Sequence, residues 1–196
     1  VRRVIYRRMR DIPRYRYATI VVDPPSRFAT WSGKGRGRSA ERHYRTMSDD
    51  ELAALPIWQL AQDDAFLFFW TSGPYLERHL RIMRNWGFTF STLALIWVKL
   101  DAQGKPSLGL GYLTRSGGEL LLAARKGHPK RLAANVAQVL LSSRLRHSEK
   151  PQEALERIER LCSGPYLELF ARSARSGWDS FGDEVSESAE ATPVSP

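Results

Sequence analysis

Asp23, Pro24, Pro25 and Ser26 follow directly on an apolar run, Ala18 to Val22. The amino group on an aromatic base is a poor nucleophile because its lone pair is delocalised into the ring. An enzyme that alkylates it must draw that lone pair out of plane and hold it toward an electrophile. A carboxylate accepting an N–H bond can do this, and a rigid Pro-Pro turn adds backbone carbonyls as further acceptors, since proline has a C=O but no N–H. The same four residues also suit a turn that only ends a strand.

The elements that must position this turn come next. Thr19, Ile20, Val21 and Val22 have the composition of a buried strand. Two prolines fix φ and remove two donors, so the strand stops at Asp23. The carboxylate is thus left at a carboxyl end, where open α/β sheets bind ligands. Ser48 with Glu51 predicts a capping box for a helix over 49–54. Residues 65–70 (AFLFFW) read as a strand, 74–86 as a helix ended by Gly87, and 88–99 as the next strand. That succession predicts a βαβ crossover and a parallel sheet. Further strands are expected at 119–124, near 136–141, at 166–170 and at 178–181, with a helix from Pro151 to about Leu161.

With 196 residues and 42% hydrophobic content, the chain suits one domain with a real core. A net charge of +9 favours a polyanionic partner, most simply nucleic acid. Arg2, Arg3, Arg7, Arg8, Arg10, Arg14 and Arg16 crowd residues 1–16, read as a basic N-terminal arm. Arg27, Lys34, Arg36, Arg38, Arg42 and Arg45 lie in the Gly- and Ser-rich loop after the turn, read as a basic lid. Residues 17–185 form the expected domain, and 186–196 the expected disordered tail. Cys162 is the sole cysteine, which excludes an intrachain disulfide and suits a reducing, cytoplasmic compartment. His43, His79, His128 and His147 show no ligand spacing, so no metal site is expected. No apolar run reaches membrane-spanning length, so no membrane association is expected.

Several segments in order carry a resemblance: VDPPS, HYRTMSDDEL, FLFFW, IWVK, GYLTRSGGELLLAARKG, HSEKP and YLELFARSARSGWDSFGDEV. Together they resemble the MT-A family of N6-adenine methyltransferases, the family of the catalytic subunit that methylates adenosine in messenger RNA. The resemblance covers about residues 15 to 185. It is nearest to the compact bacterial and phage members that act on DNA. It implies an α/β, Rossmann-like methyltransferase fold with a mostly parallel central sheet, S-adenosylmethionine as methyl donor, and a permuted motif order. In that order the Asp-Pro-Pro strand comes early and the cofactor strand late. A homo- or heterodimer is compatible with it.

Carried over by residue, the resemblance implies that Asp23 is the catalytic carboxylate and also borders the cofactor, with Pro24, Pro25 and Ser26 as its turn. Lys150 matches a lysine near the cofactor's carboxylate, and Glu168, Phe170 and Arg172 match the end of the cofactor strand, Arg172 toward the ribose. Asp183 and Glu184 stand where the family often has Asn-Gln against ribose and adenine. Arg27, Phe28, Trp31, Tyr44, Tyr112 and Arg115 are placed on the substrate side.

Ser26 departs from the family, which has an aromatic ring there that stacks on the base. Such stacking contributes roughly 1–3 kcal/mol per base. Phe28 or Trp31 could supply the ring, and Ser26→Trp is expected to raise activity. The expected reaction is methyl transfer to N6 of adenine in nucleic acid, with DNA favoured over RNA. Two rivals stand beside it. One is a catalytically impaired relative acting as a nucleic-acid-binding subunit. The other is an amino-methyltransferase for cytosine N4.

Overall fold

The computed structural model describes residues 3–26, 46–111, 113–143, 149–182 and 185. The expected lid, the 183–184 pair and the expected tail fall outside these. Eight strands form one mixed sheet: β1 (Ile5–Tyr6), β2 (Tyr17–Val22), β3 (Ala61–Thr71), β4 (Thr89–Leu100), β5 (Gly118–Lys126), β6 (Val139–Ser143), β7 (Tyr166–Leu169) and β8 (Trp178–Phe181). Their order is β1-β8-β7-β2-β3-β5-β4-β6. Five pairings are parallel, and only β5 runs antiparallel to its neighbours, β3 and β4.

β2 shows why the sheet is central. Ile20 and Val22 join one buried cluster, while Val21 joins another. Alternate side chains of a strand leave on opposite faces, so a strand apolar at every position is covered on both. On one face lie α1 (Asp49–Ala53) and α2 (Leu76–Asn85), whose Leu52, Ile82 and Met83 meet Leu67 and Phe69. On the other lies α3 (Gln152–Leu161), whose Ala154, Leu155 and Ile158 meet Phe68 and Trp70.

The Ser48–Glu51 capping box is present at the start of α1. Gly87, just past α2, has φ +79°, a conformation that favours glycine. β8 has the expected bounds.

The expected βαβ crossover is present, with a strand inserted in it. β3 and β4 do run the same way with α2 between them, but they are not neighbours. The glycine-rich loop after β4 returns the chain, and β5 inserts antiparallel between the two. Boundaries also move. β3 begins at Ala61, because Ala61 already pairs with Tyr17 ahead of the bulge. β6 begins at Val139, and β7 ends at Leu169. Pro74 lies in a 3-10 turn that precedes α2.

Residues 3–16, within the expected arm, contribute structure to the sheet edge. Ile5 and Tyr6 pair with β8, Ile12 is buried, and Val4 N donates to Asp179 Oδ1 at 2.9 Å. Tyr17 Oη donates to the same carboxylate at 2.9 Å. Among the described residues, no helix is long and apolar enough to cross a membrane.

Candidate active site

β2, β7 and β3 are parallel neighbours, so their carboxyl ends share one edge of the sheet. Asp23 leaves β2 there, and its N–H donates to Leu169 O at 3.4 Å. Asp23 follows Val22 and so continues toward the face of Val21, the face that α3 covers. Glu168, paired with Val21, leaves β7 on that same face. The acid of the early strand and the acid of the late strand therefore border one cleft. Its walls include Trp70, Lys150, Pro151, Phe170, Arg172 and Arg175. The cleft opens to solvent at its mouth.

Lys150 is the centre of charge. Its Nζ donates to Asp23 Oδ1 and Oδ2, each at 2.7 Å, and lies 3.3 Å from Glu119 Oε2. Lys99 donates to the other oxygen of Glu119. The result is an alternating row, Lys99–Glu119–Lys150–Asp23, across β4, β5, the start of α3 and the end of β2. Trp97 and Trp70 present ring faces to Lys99 and Lys150, at 4.6 and 5.6 Å from the centroids. Burial opposes the Lys150 charge, but the Asp23 and Glu119 carboxylates outweigh it and raise the ammonium above the usual lysine value. Burial likewise opposes ionisation of Glu119, and Lys150 and Lys99 reverse that and hold it below the usual range.

Glu168 behaves differently. Burial, and then the Asp23 charge beside it, push its carboxyl up to about 7, with Lys150 and Arg175 too weak to restore it. Phe170 follows with φ +61°, a left-handed conformation that a bulky residue adopts only under constraint. It turns the chain out of the sheet at the cleft, so that Arg172, Ser173 and Arg175 line the rim. The loops after β7 and β8 press together here. A Cβ on Gly182 would meet Ala171 O at 2.1 Å.

The turn itself is tied twice to its own backbone. Ser26 N donates to Pro24 O, and Met47 N donates to Pro25 O, both at 2.8 Å. Each proline carbonyl already accepts one bond and keeps one lone pair for a ligand.

Ser26 is 9% exposed, with Oγ 3.0 Å from His79 Nε2. His79 Nδ1 lies 2.8 Å from Thr71 Oγ1. Substituting tryptophan here would remove the Ser26–His79 bond.

The sequence-predicted residues Asp23, Lys150, Glu168, Phe170 and Arg172 therefore meet in one cleft, with Pro24 and Pro25 forming the turn beside it. Arg115 is not among those lining it. Its Nε donates to Gly109 O within its own loop, and Gly109 N donates in turn to Ser116 O. Arg27, Phe28, Trp31, Tyr44, Tyr112, Asp183 and Glu184 lie outside the described residues. Sequence reasoning missed Lys99, Glu119, Trp70 and Arg175 as site residues. Lys99 and Glu119 carried a signal, since each is a charge at the end of a long apolar strand near the same sheet edge.

The MT-A70 family model matches residues 17–184. The Type II methyltransferase M.MunI of Mycoplasma sp is 31% identical over 202 residues, 94% of this chain and 84% of its own. The Drosophila melanogaster N(6)-adenosine-methyltransferase MT-A70-like protein is 31% identical over 87% of this chain, and the human N(6)-adenosine-methyltransferase catalytic subunit METTL3 is 29% identical over 87%. The chain spans only 27% and 28% of the length of those two. By the match of its folded region, the chain belongs to the MT-A70 family of methyltransferases.

Proposed function

We propose that the protein transfers a methyl group from S-adenosylmethionine to N6 of adenine in nucleic acid, with DNA favoured over RNA. The observation that carries this is the cleft where Asp23, at the end of β2, lies beside Glu168 on β7, with Lys150 bonded to Asp23. The sheet order supports the permuted arrangement, since β7 and β8 from late in the chain pair with β2 and β1 from its start. DNA is favoured because the chain matches the compact M.MunI over 84% of that protein and the N(6)-adenosine enzymes over far less of theirs.

The cleft fits the donor by its chemistry. It offers a cation at Lys150 for a carboxylate, acceptors at Glu168 and Asp23 for ammonium or hydroxyl hydrogens, and apolar walls at Trp70 and Phe170. A carboxyl held near neutrality, as Glu168 is, gains from a polar partner. Lys150, Glu168 and Arg172 would hold the donor, with Asp183 and Glu184 nearby in sequence. When bound, S-adenosylmethionine supplies an electrophilic methyl carbon on a sulfonium.

The target adenine leaves its stack to reach the turn. Asp23 accepts one N6–H and holds the nitrogen lone pair toward the donor side of the cleft. A proline carbonyl, through its second lone pair, accepts the other. With Lys150 on both its oxygens, Asp23 orients the amine and stabilises the positive charge growing on nitrogen. Tyr44, Trp31, Phe28, Arg27 and Tyr112 are proposed to enclose the base or grip its backbone. The net charge of +9 suits that polyanion.

The test is incubation with donor and mixed DNA and RNA oligonucleotides, followed by nucleoside mass spectrometry. N6-methyladenine is expected with the wild type and absent with Asp23→Ala. No product above that control would overturn the proposal, and N4-methylcytosine in its place would establish the cytosine rival.

A further inference from the structure

We propose that His79 and Thr71 are positioning residues for the Asp-Pro-Pro turn and act through the Ser26 hydroxyl. The inference rests on the reading of Asp23 as the catalytic carboxylate. It concerns the opposite face of the sheet from the cleft. His79 projects from α2 and packs against Phe69 and Tyr75, with centroids 4.8 and 5.6 Å away. Thr71 is the last residue of β3, and Ser26 ends the turn. Their relative exposures are 2%, 5% and 9%.

The hydrogens in this chain have one consistent arrangement. Thr71 Oγ1 donates to Ser72 O at 3.3 Å, so it accepts from His79 Nδ1–H. A neutral imidazole has one donor and one acceptor, so Nε2 is bare and accepts from Ser26 Oγ–H. Burial, reinforced by the Arg78 charge, lowers His79 to about 4 and keeps it neutral. A hydroxyl beside a neutral imidazole suggests a nucleophile, but this one is enclosed, and its imidazole is backed by a hydroxyl instead of a carboxylate. Its use is mechanical. The N–H of Ser26 bonds to Pro24 O, so fixing the Ser26 side chain fixes the direction of that carbonyl. Met47, bonded to Pro25 O and bridged to Ser26, closes the other side. α2 and β3 thereby steady the two carbonyls that follow Asp23 in the turn.

The experiment compares wild type, Ser26→Ala, Ser26→Thr, Thr71→Val and His79→Leu. Its readouts are methyl transfer, S-adenosylhomocysteine affinity and amide exchange. Ser26→Ala is expected to lower kcat by about tenfold, with product affinity held within about twofold. Ser26→Thr, which keeps the hydroxyl, is expected to recover most of the rate. Exchange at the Ser26 and Met47 amides is expected to quicken by about tenfold in Ser26→Ala and His79→Leu, with Ile20 in the core unchanged. Wild-type kcat and exchange in Ser26→Ala would overturn the proposal, and so would uniform quickening without rescue by Ser26→Thr. If His79→Leu does not fold, Ser26→Ala and Thr71→Val decide. If the wild type transfers no methyl group, the reading of function fails, and the selective exchange change still tests the anchoring.

Discussion

The two sides of the Asp-Pro-Pro turn are built from opposite materials. On the α3 face, Asp23, Lys150 and Glu119 form ion pairs, and their side chains stay 19%, 12% and 21% exposed. On the α2 face, Ser26, His79 and Thr71 are neutral and sealed. Largely buried ion pairs contribute little net stability, because desolvation offsets their attraction. A row of four charges on the cleft side is therefore poor scaffolding, and its use is to meet a ligand that carries both signs. Neutral hydrogen bonds in a dry core resist rearrangement, since a group that loses its partner costs about 1–3 kcal/mol. One side is suited to exchange partners and the other to hold still.

The largest effect should come from the charged side. Asp23→Ala is expected to lower the methyl-transfer rate by roughly a hundredfold to a thousandfold, measured in single turnover. It also removes the two bonds that Lys150 makes to Asp23, so the melting temperature should fall as well. A rate loss no larger than that of Ser26→Ala would erase the contrast between the two sides.

Next, Lys150→Met should weaken S-adenosylhomocysteine binding by about a hundredfold, read by calorimetry. Glu119 keeps Lys99 as a partner, so nucleic-acid affinity should stay within about twofold of wild type. Equal losses on both ligands would mean that the lysine supports the fold and not the donor.

The neutral side makes a pH prediction. His79 titrates at about 4 in the folded protein against 6.5 when unperturbed. As pH falls through 6.5 the unfolded chain takes a proton and the folded chain does not. Stability present above pH 6.5 is therefore lost toward pH 4, by about 3 kcal/mol. Denaturant unfolding of His79→Leu should lack that slope.

Glu168 gives the smallest effect, with the opposite sign. Its carboxyl is raised to about 7 from 4.5, so the folded protein keeps a proton that the unfolded chain has lost. Stability then declines as pH rises across that interval. Glu168→Gln should remove the decline and gain about 1–3 kcal/mol above pH 7, while weakening S-adenosylhomocysteine binding.

The charged side was more legible in the sequence than the neutral one. An acid followed by two prolines after a β-branched run marks a strand end whatever surrounds it. Lys150 and Glu168 followed from the resemblance, and the pairing of Val22 with Leu169 brought the two acids together as that required. The position of β5 was not legible, because an apolar strand buried on both faces reads the same in either direction. His79 looked like an isolated histidine, since its partners lie 8 and 53 positions away. The arginines near the start masked Ile5, Tyr6 and Ile12, whose burial and pairing hold that stretch to the sheet.

The most direct measurement is a crystal structure with S-adenosylhomocysteine bound. The account predicts the ligand's carboxylate at Lys150, its ribose beside Glu168 and Arg172, and its sulfur facing Asp23. Ligand density away from β7, or a soaked protein with none at all, would contradict it.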